Sequence, residues 1–125
     1  MSANGLVTHG QAVYKQHCAA CHGANLEGQK NWKSRNADGK LPAPPHDETG
    51  HTWHHADELL FGIIKYGLVP PYGPKNYKTD MPALGSVLND QDIRAIIAYI
   101  KSRWTEETRK IQAEINGDGI KRLNQ

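Results

Sequence analysis

Hydrophobic residues recur at helical spacing in three parts of this chain, and the stretches between them have no period. Leu6, Val7, Gly10, Val13, Tyr14 and His17 fall three or four apart, which predicts a first helix from about Leu6 to His17. Gly10 inside that helix costs about 1 kcal/mol relative to Ala, so its presence points to a second helix passing close by. Another helix is predicted over roughly Ala56 to Tyr66, on the apolar set Leu59, Leu60, Ile63 and Ile64. Asp57 and Glu58 suit its first turn and Gly67 its C-terminal cap. The strongest pattern lies further on, where Ile93, Ile96, Ile97, Ile100 and Trp104 make one apolar stripe. Asn89 can cap that helix, with Asp92 as the partner in a weak capping box. Glu106, Glu107, Arg109 and Lys110 extend the helical pattern, after a break, to about Ile115; Asn116-Gly117-Asp118-Gly119 then reads as a turn and a mobile tail.

The aperiodic stretches are long. From Gly23 to about Gly50 the chain is rich in Gly, Asn and Lys, and Pro42, Pro44 and Pro45 impose an extended run. A second irregular stretch, Leu68 to Asp80, carries Pro70, Pro71, Gly73 and Pro74 and ends at Met81-Pro82. Loops of this length in a compact domain are functional or wrap something. No repeat or linker divides the chain, so residues 1–125 read as one all-α domain, with a core over about 6–104 and a C-terminal extension over 105–125.

Composition bears on the size of the core. The chain has 125 residues, only 38% of them hydrophobic, and a single Phe, so its own core is thin. Such a composition is compatible with a fold built around something the loops enclose, without demanding one. The net charge of +2 gives no strong field for nucleic acid or a membrane surface. Lys30, Lys33, Arg35 and Lys40 do gather in one loop, either as a solvated surface or as a docking rim for an acidic partner. No apolar run approaches the roughly 18 residues of a membrane span. The longest, Leu59 to Ile64, is interrupted by Gly62, and no signal-peptide pattern opens the chain.

The chemistry centres on Cys18-Ala19-Ala20-Cys21-His22, the C-x-x-C-H haem attachment pattern. Its thiols can add to two haem vinyl groups, and the adjacent imidazole then reaches the iron as fifth ligand. With two cysteines in all, a four-cysteine zinc site is excluded and a disulfide framework is disfavoured. A thioredoxin-like redox pair and half of a zinc site completed by histidines are the alternatives; the former requires a preceding strand, whereas here a helix is predicted. The sixth ligand is expected to be Met81, since the other methionine is the terminal Met1. A thioether is soft and neutral and raises the reduction potential. His46, His51, His54 and His55 could instead replace it or hold a second metal; otherwise they form a polar loop where His51, Trp53 or Arg35 donates to a haem propionate.

With both ligands placed, the sequence resembles a class I cytochrome c, closest to small bacterial monohaem members with a Met-Pro ligand loop. The matching residues are Gly10 and Tyr14, then Cys18 to Gly23, Pro44-Pro45, Met81-Pro82-Ala83-Leu84 and Ile96-Ile97-Ala98-Tyr99-Ile100. The resemblance implies an all-α cytochrome c fold of three to five helices around one covalent haem c, with the N- and C-terminal helices crossing near Gly10 and Tyr99. It gives Tyr14 and Tyr99 a packing role and makes a backbone carbonyl at Pro44 or a neighbour the acceptor for His22 Nδ1. His46, directly after the two prolines, departs from the apolar residue expected there.

The expected function is one-electron transfer without enzymatic activity, between redox proteins that dock weakly at the haem edge. A catalytic or gas-sensing haem protein with a labile sixth site, or a cytochrome subunit of a larger oxidoreductase, are the alternatives. Thioether attachment requires maturation in an export compartment, so a periplasmic location is expected, with a removed leader and Met1 foreign to the mature chain.

Overall fold

In the computed structural model, which describes residues 2–123, five α-helices and a single 3-10 turn account for all regular structure, and no strand is found among the described residues. Helix α1 spans Ala3–His17. It begins ahead of its apolar stripe because the Ser2 hydroxyl accepts the Gly5 N–H at 3.0 Å and caps it. Helix α2, Ala19–His22, is a single turn. The 3-10 turn Thr52–His54 precedes α3, Asp57–Tyr66. Helices α4, Asp90–Ser102, and α5, Glu106–Leu123, complete the order.

The crossing of α1 and α4 is the structural centre. A Cβ on Gly10 would lie 1.8 Å from the Ala95 carbonyl oxygen, so only glycine lets the two backbones meet there. The rings of Tyr14 and Tyr99 pack 5.4 Å apart beside this point. The apolar stripe supplies most of the core: Ile93, Ile96, Ile97 and Ile100 of α4 are buried together with Ala95 and Tyr99, and so is Trp104, two residues past the end of the helix. Asn89 and Asp92 form a full capping box at its start. Asp92 also receives His9 Nε2 of α1 at 2.7 Å, which pins the crossing from outside.

Helix α5 differs from expectation. It runs on to Leu123, so no turn forms at Asn116-Gly117-Asp118-Gly119 and the expected mobile tail is helical as far as it is described. The cause is tertiary. Gln112, buried at 1% exposure, donates to the His55 carbonyl at 3.1 Å and to Asp57 Oδ1 at 2.8 Å. Asn116 bonds Gln112 and accepts the Asp57 backbone N–H at 2.7 Å. Ala56, at the N-cap of α3, has no side chain to do this, so α5 caps α3 from a distance in sequence. An asparagine that favours turns in isolation is thereby fixed in a helix. Met1, on which an expectation was placed, lies outside the described residues, as do Asn124 and Gln125.

Candidate functional site

The C-x-x-C-H segment sits at the junction of α1 and α2. Cys18 closes α1 by donating its N–H to the Tyr14 carbonyl at 2.8 Å. Its own carbonyl starts α2, accepting from Cys21 N at 3.2 Å and His22 N at 2.9 Å. Residues three and four apart on a helical turn share a face, so both thiols and the imidazole are presented together. The Tyr14 hydroxyl, buried beneath the turn, donates to the Gly23 carbonyl at 2.9 Å. Burial, with the Cys18 thiol nearby, raises the Tyr14 pKa well above the usual phenol range, so it remains a donor.

The first long loop folds back against this turn. Gly28 N donates to the His22 carbonyl at 2.6 Å, and His46 N donates to the Leu26 carbonyl at 2.9 Å. Gln29 and Ala43 are paired twice, through Gln29 N to the Ala43 carbonyl and Ala43 N to Gln29 Oε1. At Gly28 the backbone has a φ of +73°, and a Cβ would lie 2.5 Å from Pro45 N. That close approach delivers the Pro44 carbonyl to 2.8 Å from His22 Nδ1. A carbonyl can only accept, so Nδ1 carries the proton and Nε2 keeps its lone pair. Burial pushes the His22 pKa down, against the opposing effect of the Pro44 bond, and keeps the ring neutral. This is the form in which an imidazole binds a metal.

His46 packs on the same ring. The two imidazole centroids are 4.0 Å apart with planes inclined by 33°. His46 Nδ1 is 2.7 Å from Thr52 Oγ1, and the His46 carbonyl accepts Trp104 Nε1–H at 2.8 Å. Burial first, then proximity to His22, lowers the His46 pKa to about 3.

The thiols are free, Cys18 half-buried and Cys21 exposed. Burial, with a smaller effect of Cys21, pushes the Cys18 thiol up to about 11. Redox dithiols depend on a depressed thiol pKa, and they follow a strand; neither condition is met among the described residues. No group of three or more His, Cys, Asp or Glu disposed to hold a metal ion is found among the described residues, which leaves the zinc alternative and a second His metal site without support.

Met81 is half-buried and packs against the hydrophobic core, as do Cys18, Ala19, Trp53, Leu60 and Phe61. Its loop is tied at several points: Met81 N to Thr79 Oγ1 at 3.1 Å, Leu84 N to the Ile64 carbonyl of α3 at 2.9 Å, and Asp80 to Lys40 Nζ at 2.5 Å. Of the four predicted apolar residues of α3 only Ile64 is fully buried; Leu59, Leu60 and Ile63 stay half-covered. Two thiols and a neutral imidazole on one helical turn, with Cys18, Leu60, Phe61 and Met81 only partly covered where they pack on a thin core, fit a flat, largely apolar macrocycle.

The remaining predicted residues lie in a ring cluster. Trp53 stacks on His54 at 3.8 Å, and its indole N–H donates to the Glu48 carbonyl at 3.0 Å. His51 is exposed and makes edge-on contacts with Trp32 and His54. His51, His54 and His55 line one shallow open cleft. In the basic loop, Lys40 pairs with Asp80 and Asp38, and Arg35 binds the Gly39 carbonyl and faces the Tyr77 ring. Lys33 lies over the Trp32 ring, so three of the four basic side chains have partners within the chain. Thr52 and Trp104 escape sequence reasoning as site residues, because their contacts join positions 22, 46, 52 and 104 that no local pattern connects.

The family described as Cytochrome c matches residues 7–104. The chain is a member of the cytochrome c family. The match takes in α1 from Val7, the C-x-x-C-H turn, both long loops and α4, and leaves α5 outside. Membership implies covalent haem c, for which Cys18 and Cys21 fit, and haem-based electron transfer. This cytochrome is also similar to the Cbb3-type cytochrome c oxidase subunit FixP of Sinorhizobium medicae (strain WSM419), with 24% identity over 96 residues. That stretch is 77% of this chain and 29% of the relative, so the cytochrome spans under a third of that protein's length. No solved structure matches it. Among the described residues, no helix is long and apolar enough to cross a membrane.

Proposed function

We propose that this cytochrome is a one-electron carrier rather than an enzyme, holding one haem c through Cys18 and Cys21 with His22 and Met81 as axial ligands. The observation that carries the reading is the 2.8 Å bond from His22 Nδ1 to the Pro44 carbonyl, which leaves Nε2 as the only basic nitrogen of a neutral ring beside two free thiols. Bound haem supplies the Fe(II)/Fe(III) couple. Pro44 fixes the orientation of His22, and Tyr14 holds the attachment turn on α1. The ties at Thr79, Asp80 and Leu84 limit movement of the Met81 loop, which suits a ligand that must stay in place when the iron changes charge. His51 and Trp53 are candidates for the propionates, Trp53 by exchanging its bond to the Glu48 carbonyl. Donor and acceptor dock weakly at the haem edge, and the site of action is the periplasm; nucleic acid is not a partner. The likeness to an oxidase subunit favours a second setting for the same chemistry, as an electron-delivering module within a terminal oxidase.

Optical spectroscopy of the holoprotein tests the ligand set. A sharp low-spin α band on reduction and a weak far-red Met-to-iron band on oxidation are expected, and Met81→Ala should abolish the latter and admit carbon monoxide rapidly. Fast carbon monoxide binding by the unmutated reduced protein would overturn the closed six-coordinate site in favour of a sensing or catalytic one.

A further inference from the structure

His22 is held in two directions by one short segment. Pro44 engages the edge of its ring, and His46, two residues on, covers a face at 4.0 Å. His46 is itself fixed on three sides: its N–H by the Leu26 carbonyl at 2.9 Å, its carbonyl by Trp104 Nε1 at 2.8 Å, and its Nδ1 by Thr52 Oγ1 at 2.7 Å. Thr52 and Trp104 are buried at 7% and 3% exposure, so neither fixture can move without disturbing the core. The first two of these bonds involve the backbone and would hold any residue here, but the Thr52 bond belongs to the ring, and an aliphatic side chain could fill the space against His22 with no need of it. The chain instead places a polar, polarisable ring there and anchors it.

Two physical effects follow. A ring in near-stacked contact restricts rotation of its neighbour. A polar, polarisable ring beside a metal ligand raises the local dielectric relative to hydrocarbon in the same place, and so favours the more highly charged oxidation state. Outer contacts of this kind tune a metal through its ligand.

We propose that His46 is a positioning residue for His22, one that holds its ring plane and lowers the reduction potential of the bound haem relative to an apolar side chain at the same place. This rests on the assignment of His22 as axial ligand. The test uses the holoprotein and the variants His46→Phe and His46→Leu, compared by redox titration and by electron paramagnetic resonance of the ferric form. His46→Phe keeps a flat ring against His22 and loses the dipole; His46→Leu loses both. The expected result is an upward shift of the potential in both variants, with the g values of the parent kept in His46→Phe and moved in His46→Leu. Potentials equal to or below that of the parent in both variants overturn the proposal, as do g values that His46→Phe moves as far as His46→Leu does. A parent protein without a low-spin His-ligated spectrum overturns the axial assignment itself, an outcome visible before any variant is made.

Discussion

Replacing Gly10 by alanine tests the crossing on which the fold depends. The new Cβ would stand 1.8 Å from the Ala95 carbonyl oxygen, 2.4 Å from its carbon and 3.0 Å from Tyr99 Cβ. An ordinary carbon-to-oxygen contact needs about 3.3 Å, so α1 and α4 must part by roughly 1.5 Å. The obstacle is backbone within a helix, which cannot swing aside. A gap of that size forfeits much of the dispersion contact of Val13, Tyr14, Ile96 and Tyr99, which are all buried at or near this interface. Overpacking of this kind costs about 3–5 kcal/mol, at or beyond the top of the usual range. Alanine's better helix propensity returns about 1 kcal/mol, leaving a net loss of about 2–4 kcal/mol. Guanidinium unfolding of the holoprotein reads this as a lower midpoint at unchanged slope. Gly117→Ala is the control: it lies in α5 with nothing within 4 Å of its added Cβ, and should stabilise by up to about 1 kcal/mol. A Gly10→Ala protein destabilised by less than about 1 kcal/mol would refute the close-packed crossing.

Three further outcomes are expected. Asn116→Ala removes the cap that α5 lends to α3 and should cost about 1 kcal/mol, read by thermal unfolding; no change would show that water replaces the bond freely. The His9 bond, followed by the smaller effect of the Asn89 backbone, holds the Asp92 carboxyl below its ordinary value, so its contribution is fully present above pH 3.8 and is lost as pH falls through the folded value; the stability gap between parent and Asp92→Asn should therefore narrow on acidification below 3.8, and a gap constant with pH would contradict the pairing. Gly28→Ala forces a side chain into a left-handed backbone against Pro45 and should cost about 2 kcal/mol, with a weakened low-spin signature as Pro44 withdraws from His22; an unaltered spectrum would mean that Pro44 does not orient the ring.

The elements legible in the sequence are those that one period or one motif specifies. The stripe from Ile93 to Trp104, the Asn89 cap, the Gly10 contact and the attachment turn all depend on residues within a few positions of each other, or on a glycine with an obvious cost. Pro44 also follows from the resemblance alone, and the structure shows its carbonyl on His22. The course of α5 was not legible. Asn116 and Gly117 favour a turn locally, and only the contact with Asp57, far away in sequence, reverses that preference. The packing of His46 on His22 was hidden for the same reason, since it depends on Thr52 and on Trp104 from the end of the chain's apolar stripe.

The distribution of these contacts along the chain bears on the order of assembly. The bonds that shape the attachment turn, from Tyr14 to Gly23 and from Gly28 to His22, close loops of few residues, and they carry little chain entropy. The α1–α4 crossing, by contrast, joins Gly10 to Ala95 and must wait for almost the whole matched region to be available. A chain emerging from its N-terminus can therefore shape the cysteine turn while α4 is still absent. Connectivity thus lets the attachment turn take shape early, while the long-range crossing closes late.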